Sequence, residues 1–201
     1  MIIIGFGSNV TSRFGESDAT IFEAMRQMQQ CNIRILRHSR LYRTTPYGLT
    51  SQPDFINAAA LVRTFLSPCA LLSVLKGLER RAGRSRTARW GPRGLDLDII
   101  DYNRRILNWN KRTTSVSEFN YSTYHRKLIL PHPGIAFRPF VLRPILDIAP
   151  LWHHPVTGQN AQLMYKRLTS AKLGRVLGVV DGDIHPENAV IALHDREKAA
   201  T

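Results

Sequence analysis

The sequence has few cysteines and no long apolar run. Only Cys31 and Cys69 occur among 201 residues, and no CxxC spacing is present, so neither a zinc site nor a disulfide framework is indicated. The opening Met-Ile-Ile-Ile-Gly has no basic flank before it, and nowhere do about 18 apolar residues follow one another. We therefore expect a reduced, cytoplasmic protein that has no signal peptide and no membrane partner.

The common nucleotide and hydrolase motifs are missing as well. The stretch GFGSNV begins like a dinucleotide fingerprint, but Val10 stands where the third glycine is required. No GxxxxGKS, GxxxxGKT, GxSxG or HExxH occurs. The sequence therefore supports neither a Rossmann nor a P-loop nucleotide site, and it argues against the hydrolase and zinc-protease classes that use the other two motifs.

Acidic residues are scarce compared with basic ones. The chain has 15 Asp and Glu against 28 Lys and Arg, which gives a formal charge of +13 and a pI near 10.5. Most of the basic residues are arginines, whose planar guanidinium binds phosphate through two hydrogen bonds at once. With 43% hydrophobic residues the chain suffices for one domain with a real core. These features predict a globular protein that binds a phosphate-rich ligand.

The order of apolar patterns predicts an α+β sandwich with a mainly antiparallel sheet. MIIIGFGSNV, NIRILRHSRLYRT, INAAALVRTF and the stretch around LDLDII are typical of strands. A helix is predicted over about 18–30, capped by Ser17 or Asp18. A second helix begins at the cap Ser67 and ends at Gly83. The polar residues 108–127 are predicted to form a long surface loop, and the pattern weakens after about 155.

Two aspartates alternate with leucines in RWGPRGLDLDII. Side chains two residues apart on a strand share a face, so Asp96 and Asp98 point the same way while Leu95, Leu97 and Ile99 enter the core. Paired carboxylates suit Mg²⁺ held together with substrate phosphates. The alternative from these residues alone is a solvated strand face with arginines as counterions.

The preceding segment, GRSRTARWGPR, is rich in arginine and has little helix or strand character. Arg84, Arg86, Arg89 and Arg93 favour a mobile basic loop that closes when a polyphosphate supplies the missing negative charge. A strip that binds nucleic acid, with Trp90 as a stacking platform, is the competing interpretation. Because carboxylates repel a nucleic-acid backbone, the adjacent aspartate pair favours metal with a compact polyphosphate.

Several separate motifs, in order, resemble the hydroxymethyldihydropterin pyrophosphokinases. They are GSN after the first strand, LYRTTPYG with QPDFINAA, GLERRAGRSRTARWGPRGLDLDII, and LPHPGIAFRPFVLRPILDIAP. The resemblance covers about residues 1–152. It implies a ferredoxin-like fold, with a pyrophosphokinase domain over 1–154 that carries 108–127 as an extended loop, and an extension of unassigned role over 155–201.

The resemblance also implies a set of site residues. The catalytic set is Arg84, Arg93, Asp96 and Asp98, with Asp96 and Asp98 as the metal ligands. The ATP-binding set is Glu79, Arg84, Arg86, Arg93, His132 and Arg138. The pterin-binding set is Thr44, Thr45, Pro46, Phe55, Asn57, Trp90 and Phe140. Physical chemistry agrees with the last set, because aromatic faces and amide groups suit a flat heterocycle with polar edges.

The implied reaction is the transfer of pyrophosphate from ATP to 6-hydroxymethyl-7,8-dihydropterin, with release of AMP, in folate biosynthesis. ATP is the co-substrate and two Mg²⁺ ions are the cofactors. The expected partners are these substrates, without nucleic acid or membrane, and the expected state is a monomer. A basic nucleic-acid-binding module and a catalytically inactive scaffold of the same family are the alternatives.

Overall fold

Six strands form one antiparallel sheet in the computed structural model, which describes residues 1–47, 51–83, 91–109, 128–169 and 174–180. The strands are β1 (Ile2–Ser8), β2 (Arg34–His38), β3 (Tyr42–Thr44), β4 (Phe55–Arg63), β5 (Asp96–Tyr102) and β6 (Val176–Val179). The helices of the described residues are α1 (Ser17–Gln30), α2 (Pro68–Arg81), α3 (Pro139–Ile148) and α4 (Ala161–Arg167), with a 3-10 turn at Ile135–Phe137.

The strand order confirms the α+β, ferredoxin-like prediction. The sheet runs β5-β1-β4-β3-β6, and β2 also pairs with β4. The first five strands and two helices follow one another as strand, helix, strand pair, strand, helix, strand, and every recorded pairing is antiparallel. β1 therefore lies inside the sheet, between β4 and the edge strand β5.

The core lies on both faces of this sheet. Ile2, Ile4 and Phe6 of β1 belong to one cluster with α1 and α2, which we call the α1/α2 face. Ile3 belongs to a second cluster with α3, α4 and Trp152, which we call the α3 face. The alternation of side chains along β1 thus supplies both layers.

An irregularity in β5 changes which face its last residues occupy. The pairing of β1 with β5 shifts between Ile3 and Ile4, so that Ile3 lies opposite Asp101 and Ile4 opposite Ile99. Ile100 is the extra residue and enters the α3 face. Asp101 is fully buried and accepts a hydrogen bond from Trp152 Nε1 at 2.7 Å. The bulge therefore ties β5 to the segment that follows α3.

Two local predictions differ from the structure. NIRILRHSRLYRT forms two strands rather than one, because the buried Ser39 interrupts the ladder: its Oγ accepts from Ala59 N at 2.9 Å and its own N donates to Ala59 O. α1 begins after Glu16, whose side chain makes no cap bond, so neither Ser17 nor Asp18 is the cap. The Ser67 cap is confirmed, since its side chain accepts from Ala70 N.

One carboxylate fastens α3 to the strands beneath it. Asp147 accepts hydrogen bonds from Tyr42 Oη at 2.7 Å and from the backbone and guanidinium of Arg40 at 3.2–3.3 Å. Arg143, one turn earlier in α3, lies 3.0 Å from the same carboxylate and 4.9 Å from the Tyr42 ring centroid. Since Tyr42 is 2% exposed, this cluster holds α3 in register with β3.

The described part of 155–180 is joined to the rest of the fold. Ala161 and Met164 of α4 are buried in the same cluster as Ile3 and Trp152. β6 pairs with β3, with Tyr42 opposite Val179 and Thr44 opposite Val176. The packed core therefore continues past residue 154. Residues 170–173 and 181–201 of the predicted extension lie outside the described residues.

No helix in the described ranges is both long and apolar enough to cross a membrane.

Candidate active site

The aspartate pair lies at the start of β5 on the α3 face. Leu97 and Ile99 are buried on the α1/α2 face, and the side chains of Asp96 and Asp98 are 25% and 35% exposed on the other face. The strand alternation expected from LDLDII is therefore present. Two carboxylates stand side by side where solvent and a ligand can reach them.

Glycines leave the sheet surface beside these carboxylates bare. Gly5 and Gly7 of β1 lie directly opposite Asp98 and Asp96 in the register. A Cβ added at Gly7 would lie 3.2 Å from Asn57 Oδ1, and one added at Gly5 would lie 3.1 Å from Ile100 Cδ1. The surface of β1 between the aspartates and Asn57 thus carries no side chain, and we call it the glycine floor.

Arg93 approaches the pair from the preceding segment. Its Nη1 donates to Asp96 Oδ1 at 2.8 Å, and its backbone N donates to Asn9 Oδ1 at 2.7 Å. Asn9 is 4% exposed, and its Nδ2 donates to Gln52 Oε1 and to Pro53 O. The Asn9 side chain therefore joins the segment before β5 to the segment before β4.

His132 lies on the other side of the pair. Its Nε2 is 3.7 Å from Asp98 Oδ2, and its Nδ1 accepts a hydrogen bond from Gly134 N at 3.1 Å. The proton of the neutral ring is therefore on Nε2. Burial lowers the pKa of His132 to about 4, although Asp98 acts in the opposite direction. At neutral pH the ring is an uncharged donor that faces a carboxylate.

An ion pair covers the free edge of β5 between the two aspartates. Glu79 is 2% exposed, and its Oε1 accepts from Leu97 N at 2.8 Å and from Lys76 Nζ at 2.7 Å. Lys76 Nζ also donates to Leu97 O at 3.0 Å. Burial opposes the charge on Lys76, but Asp98, Glu79 and Asp96 together raise its pKa. Lys76 thus adds a fixed positive charge behind the aspartate pair.

The polar members of the predicted pterin set meet next to the glycine floor. Asn57 lies opposite Gly7 on β4, and its Nδ2 donates to Thr44 Oγ1 at 2.8 Å. Both side chains are buried, and Phe55 lies opposite Thr44 in the ladder. Because Asn57 uses its amide donor on Thr44, its Oδ1 faces the glycine floor as an acceptor.

The aromatic members stand at the start of α3. Phe140 lies in the first turn of α3, with its ring centroid 5.7 Å from that of Tyr47. The guanidinium of Arg138 lies 5.8 Å from each of these two centroids. Arg138 therefore stacks beside the aromatic pair, and it is there that the structure places this predicted ATP contact.

Thr45 and Pro46 are held by the C-terminal segment. Thr45 N donates to Arg175 O at 2.9 Å, Arg175 N donates to Thr45 Oγ1 at 2.9 Å, and Gly174 N donates to Pro46 O at 3.2 Å. The Thr45 side chain is thereby engaged with the protein's own backbone. The sequence interpretation gave no role to Gly174 or Arg175.

The structure brings most of the predicted site together and leaves part of it undescribed. Arg84, Arg86 and Trp90 lie in 84–90, outside the described residues. The sequence interpretation also gave no role to Asn9, Tyr47 and Lys76. Asn9 and Tyr47 stood inside the GSN and LYRTTPYG motifs, so the motifs held a signal for them, whereas the edge contact of Lys76 depends on how α2 packs against β5.

The donor set fits magnesium. Carboxylate oxygens are the ligands Mg²⁺ prefers, and it commonly keeps only one or two protein carboxylates alongside phosphate oxygens. In the described ranges no group of three or more His, Cys, Asp or Glu side chains could hold a metal. Asp96 and Asp98 beside the glycine floor supply two carboxylates and room for phosphate oxygens.

Comparison with known proteins identifies the family of the chain. The model of the 7,8-dihydro-6-hydroxymethylpterin-pyrophosphokinase family matches residues 3–150. The 2-amino-4-hydroxy-6-hydroxymethyldihydropteridine pyrophosphokinase of Synechocystis is 31% identical over 198 residues, which cover 96% of this chain and 91% of that protein. The corresponding protein of Bacillus subtilis is 31% identical over 186 residues, covering 92% of this chain and 96% of the relative.

Other relatives are much longer. The folic acid synthesis protein fol1 of Pneumocystis carinii is 34% identical over 185 residues, which cover 92% of this chain but only 21% of that protein. The crystal structure of wild-type HPPK-DHPS from Plasmodium falciparum shares the fold, with a TM-score of 0.60 at 14% identity, over 84% of this chain and 41% of that one. The family match covers more than half of the chain, and the chain therefore belongs to the 7,8-dihydro-6-hydroxymethylpterin-pyrophosphokinase family.

Proposed function

We propose that the protein transfers the pyrophosphate of ATP to the hydroxymethyl group of 6-hydroxymethyl-7,8-dihydropterin and releases AMP, as a step of folate biosynthesis. One juxtaposition carries the proposal: Asp96 and Asp98 stand on the same sheet face as Asn57, with only Gly5 and Gly7 between them. Family membership and the names of the Synechocystis and Bacillus relatives support the same reaction.

The pterin would lie against Asn57, Thr44 and the aromatic pair. A flat heterocycle gains most from an aromatic face, which Phe140 and Tyr47 offer, and from an amide at its edge. Asn57 Oδ1 would accept a hydrogen bond from a ring N–H or amino group. Phe55, Thr45, Pro46 and Trp90 complete the proposed pocket on the strength of the resemblance.

The triphosphate would lie over β5. Arg93, already paired with Asp96, would exchange part of that contact for phosphate oxygens, and Arg84 and Arg86 would enclose the same group. Neutral His132 would donate from Nε2 to a phosphate oxygen beside Asp98. Glu79 and Arg138 remain proposed ATP-side residues, Glu79 at the β5 edge and Arg138 beside Tyr47.

Asp96 and Asp98 would hold two Mg²⁺ ions through their carboxylates. Bound Mg²⁺ neutralises phosphate oxygens and lowers the pKa of a coordinated hydroxyl. The proposed cofactors are therefore two Mg²⁺ ions, with ATP as co-substrate.

The chemical step is an in-line displacement. The hydroxymethyl oxygen bonds to the β-phosphorus, the bond from that phosphorus to the α,β-bridging oxygen breaks, and AMP leaves with the electron pair. The hydroxyl proton passes to a carboxylate oxygen or to water. No covalent intermediate with the protein is needed. The protein therefore contributes mainly by positioning the two substrates and by stabilising the charge that develops in the transition state. We further propose that the enzyme acts as a cytoplasmic monomer.

One incubation tests the proposal. Purified protein is mixed with ATP, Mg²⁺ and 6-hydroxymethyl-7,8-dihydropterin, and AMP and pyrophosphorylated pterin are quantified. We expect both products in equal amounts, and neither without the pterin or with EDTA. Absence of both products from folded protein would overturn the proposal, and a steep salt-dependent affinity for DNA without turnover would favour the nucleic-acid-binding alternative.

A further inference from the structure

The segment at Gly174–Arg175 holds the pocket wall through its backbone. Within two residues it makes three hydrogen bonds to Thr45 and Pro46, at 2.9, 2.9 and 3.2 Å. β6, which follows at once, pairs with β3 along Tyr42, Arg43 and Thr44. β3, which carries Thr44, is therefore bounded on its outer side by the C-terminal segment.

Gly174 also touches the aromatic pair directly. A Cβ added there would lie 2.6 Å from Phe140 Cδ1, 3.0 Å from Phe140 Cε1 and 3.2 Å from Tyr47 Cδ2. A separation below 3.0 Å is far inside van der Waals contact, so any side chain at this position must displace the Phe140 ring. The φ angle of Gly174 is +66°, which also favours glycine. Both rings thus pack on a bare Cα.

We propose that Gly174 is a positioning residue for the pterin substrate: its bare Cα sets where the rings of Phe140 and Tyr47 stand, while its backbone and that of Arg175 fix Thr45 and Pro46. The inference rests on the proposed function, because it deepens the assignment of this wall to the pterin. One determinant of pterin binding would then be Gly174, a residue outside the segment 3–150 that matches the family model.

The position of Gly174 predicts a selective effect. β3, which bears Thr44, is three strands away from β5, which bears the aspartate pair. At about 4.8 Å per strand, the two lie roughly 14 Å apart. A displaced Phe140 ring should therefore weaken pterin binding and leave the aspartate pair unchanged, whereas Arg138, which lies 5.8 Å from the Phe140 centroid, should move with the ring.

The chain offers a matched control for backbone strain. Gly158 has a φ of +68°, nearly that of Gly174, but a Cβ added at Gly158 meets nothing within 4 Å. Gly174→Ala and Gly158→Ala therefore impose the same backbone penalty, and only the first adds a contact with Phe140. A difference between them in pterin affinity reports what is particular to Gly174, namely the contact with Phe140 and the hydrogen bonds of its segment to Thr45 and Pro46.

The experiment measures pterin binding and turnover separately in wild type, Gly174→Ala and Gly158→Ala. Pterin Kd is measured by titration with a non-hydrolysable ATP analogue present, and KM and kcat are measured with each substrate varied. For Gly174→Ala we expect pterin Kd and KM to rise at least about tenfold. The Mg²⁺ concentration that gives half-maximal turnover should stay within twofold of wild type, because the aspartate pair lies three strands away from β3. Gly158→Ala should stay within twofold on every parameter.

A second pair of variants decides the matter if Gly174→Ala does not fold. Phe140→Ala removes both ring atoms that the new Cβ would meet, Cδ1 and Cε1, so Phe140→Ala with Gly174→Ala should bind pterin as tightly as Phe140→Ala alone. A further loss of threefold or more in the double variant would overturn the inference.

The outcomes separate the two proposals. Wild-type protein that binds MgATP but no pterin would overturn the proposed function and this inference with it. Wild type that turns over, with Gly174→Ala equal to Gly158→Ala in pterin Kd, would overturn the inference and leave the proposed function standing.

Discussion

Tyr42 should make the stability of the protein depend on alkaline pH. Burial, together with the hydrogen bond to Asp147, raises the pKa of Tyr42 from 10.0 to about 12, although Arg143 and Arg40 act in the opposite direction. The folded protein therefore holds the phenol proton more tightly than the unfolded chain does. Its stabilising contribution is complete below pH 10 and is lost as the pH rises through 12.

The size of the effect follows from the shift. A difference of about 2 pKa units corresponds to about 3 kcal/mol in the free energy of unfolding between pH below 10 and pH above 12. Roughly two thirds of that, about 2 kcal/mol, should already be lost at about pH 11.5. Because Tyr42 is 2% exposed, solvent screens this interaction little.

The assay compares wild type with Tyr42→Phe by urea denaturation at several pH values between 8 and 11.5. The variant lacks the hydroxyl, so it should be less stable by about 1 kcal/mol at pH 8 and should show none of the alkaline loss due to this group. The lysines and the other tyrosines titrate in both proteins, so their effect cancels in the difference. Parallel stability curves for the two proteins up to pH 11.5 would refute the reasoning.

Asp147 should make the stability of the protein depend on acid pH as well. Burial alone would raise the pKa of Asp147, but hydrogen bonds from Arg40 and Tyr42 and the charge of Arg143 hold it below its usual value. Its contribution is present above the unfolded pKa of 3.8 and is lost as the pH falls through the lower folded value. Asp147→Asn should therefore flatten the stability curve below pH 4, and an unchanged acid limb would contradict this.

Three further predictions test the site and the fold. Asp96→Ala and Asp98→Ala should each abolish Mg²⁺-dependent AMP release. The thermal midpoint should stay near that of wild type, since both side chains are partly exposed. Full activity in both variants would contradict the metal assignment. Glu79→Ala should lower the free energy of unfolding in urea by about 3 kcal/mol, because Leu97 N–H loses its buried acceptor and Lys76 loses its ion pair. A change confined to the ATP KM would instead identify Glu79 as a nucleotide contact. Deleting residues 156–201 removes α4 and β6 and should destabilise the protein by at least about 3 kcal/mol. A truncated protein with the thermal midpoint of the full chain would refute the packing argument.

The sequence was informative where periodicity and motif coincide. The alternation of LDLDII placed Asp96 and Asp98 on one face, and the Ser67-Pro68 signature placed the start of α2. The same local rules did not reveal the break at Ser39, because that break depends on a hydrogen bond to Ala59 in another strand.

The sequence also did not reveal contacts between residues that are distant in the chain. Because the apolar pattern weakens after about 155, the sequence interpretation expected the packed domain to end at 154 and gave no role to residues 155–201. The structure buries Ala161 and Met164 and pairs β6 with β3, which changes that expectation. A four-residue edge strand has too few residues for periodicity to show, and Gly174 has no side chain to signal its contact with Phe140.

The position of β6 has a consequence for how the pocket is assembled during synthesis. Arg175 and Thr45 are 130 residues apart in the chain, so the ribosome completes Thr45 several seconds before its partner, at about 5–20 residues per second. Until then β3 has an unpaired outer edge, and such edges recruit other strands. In the nascent chain β1, β4 and β5 can therefore pair long before β6 can pair with β3. During that interval a chaperone or a second nascent chain can bind the unpaired edge of β3.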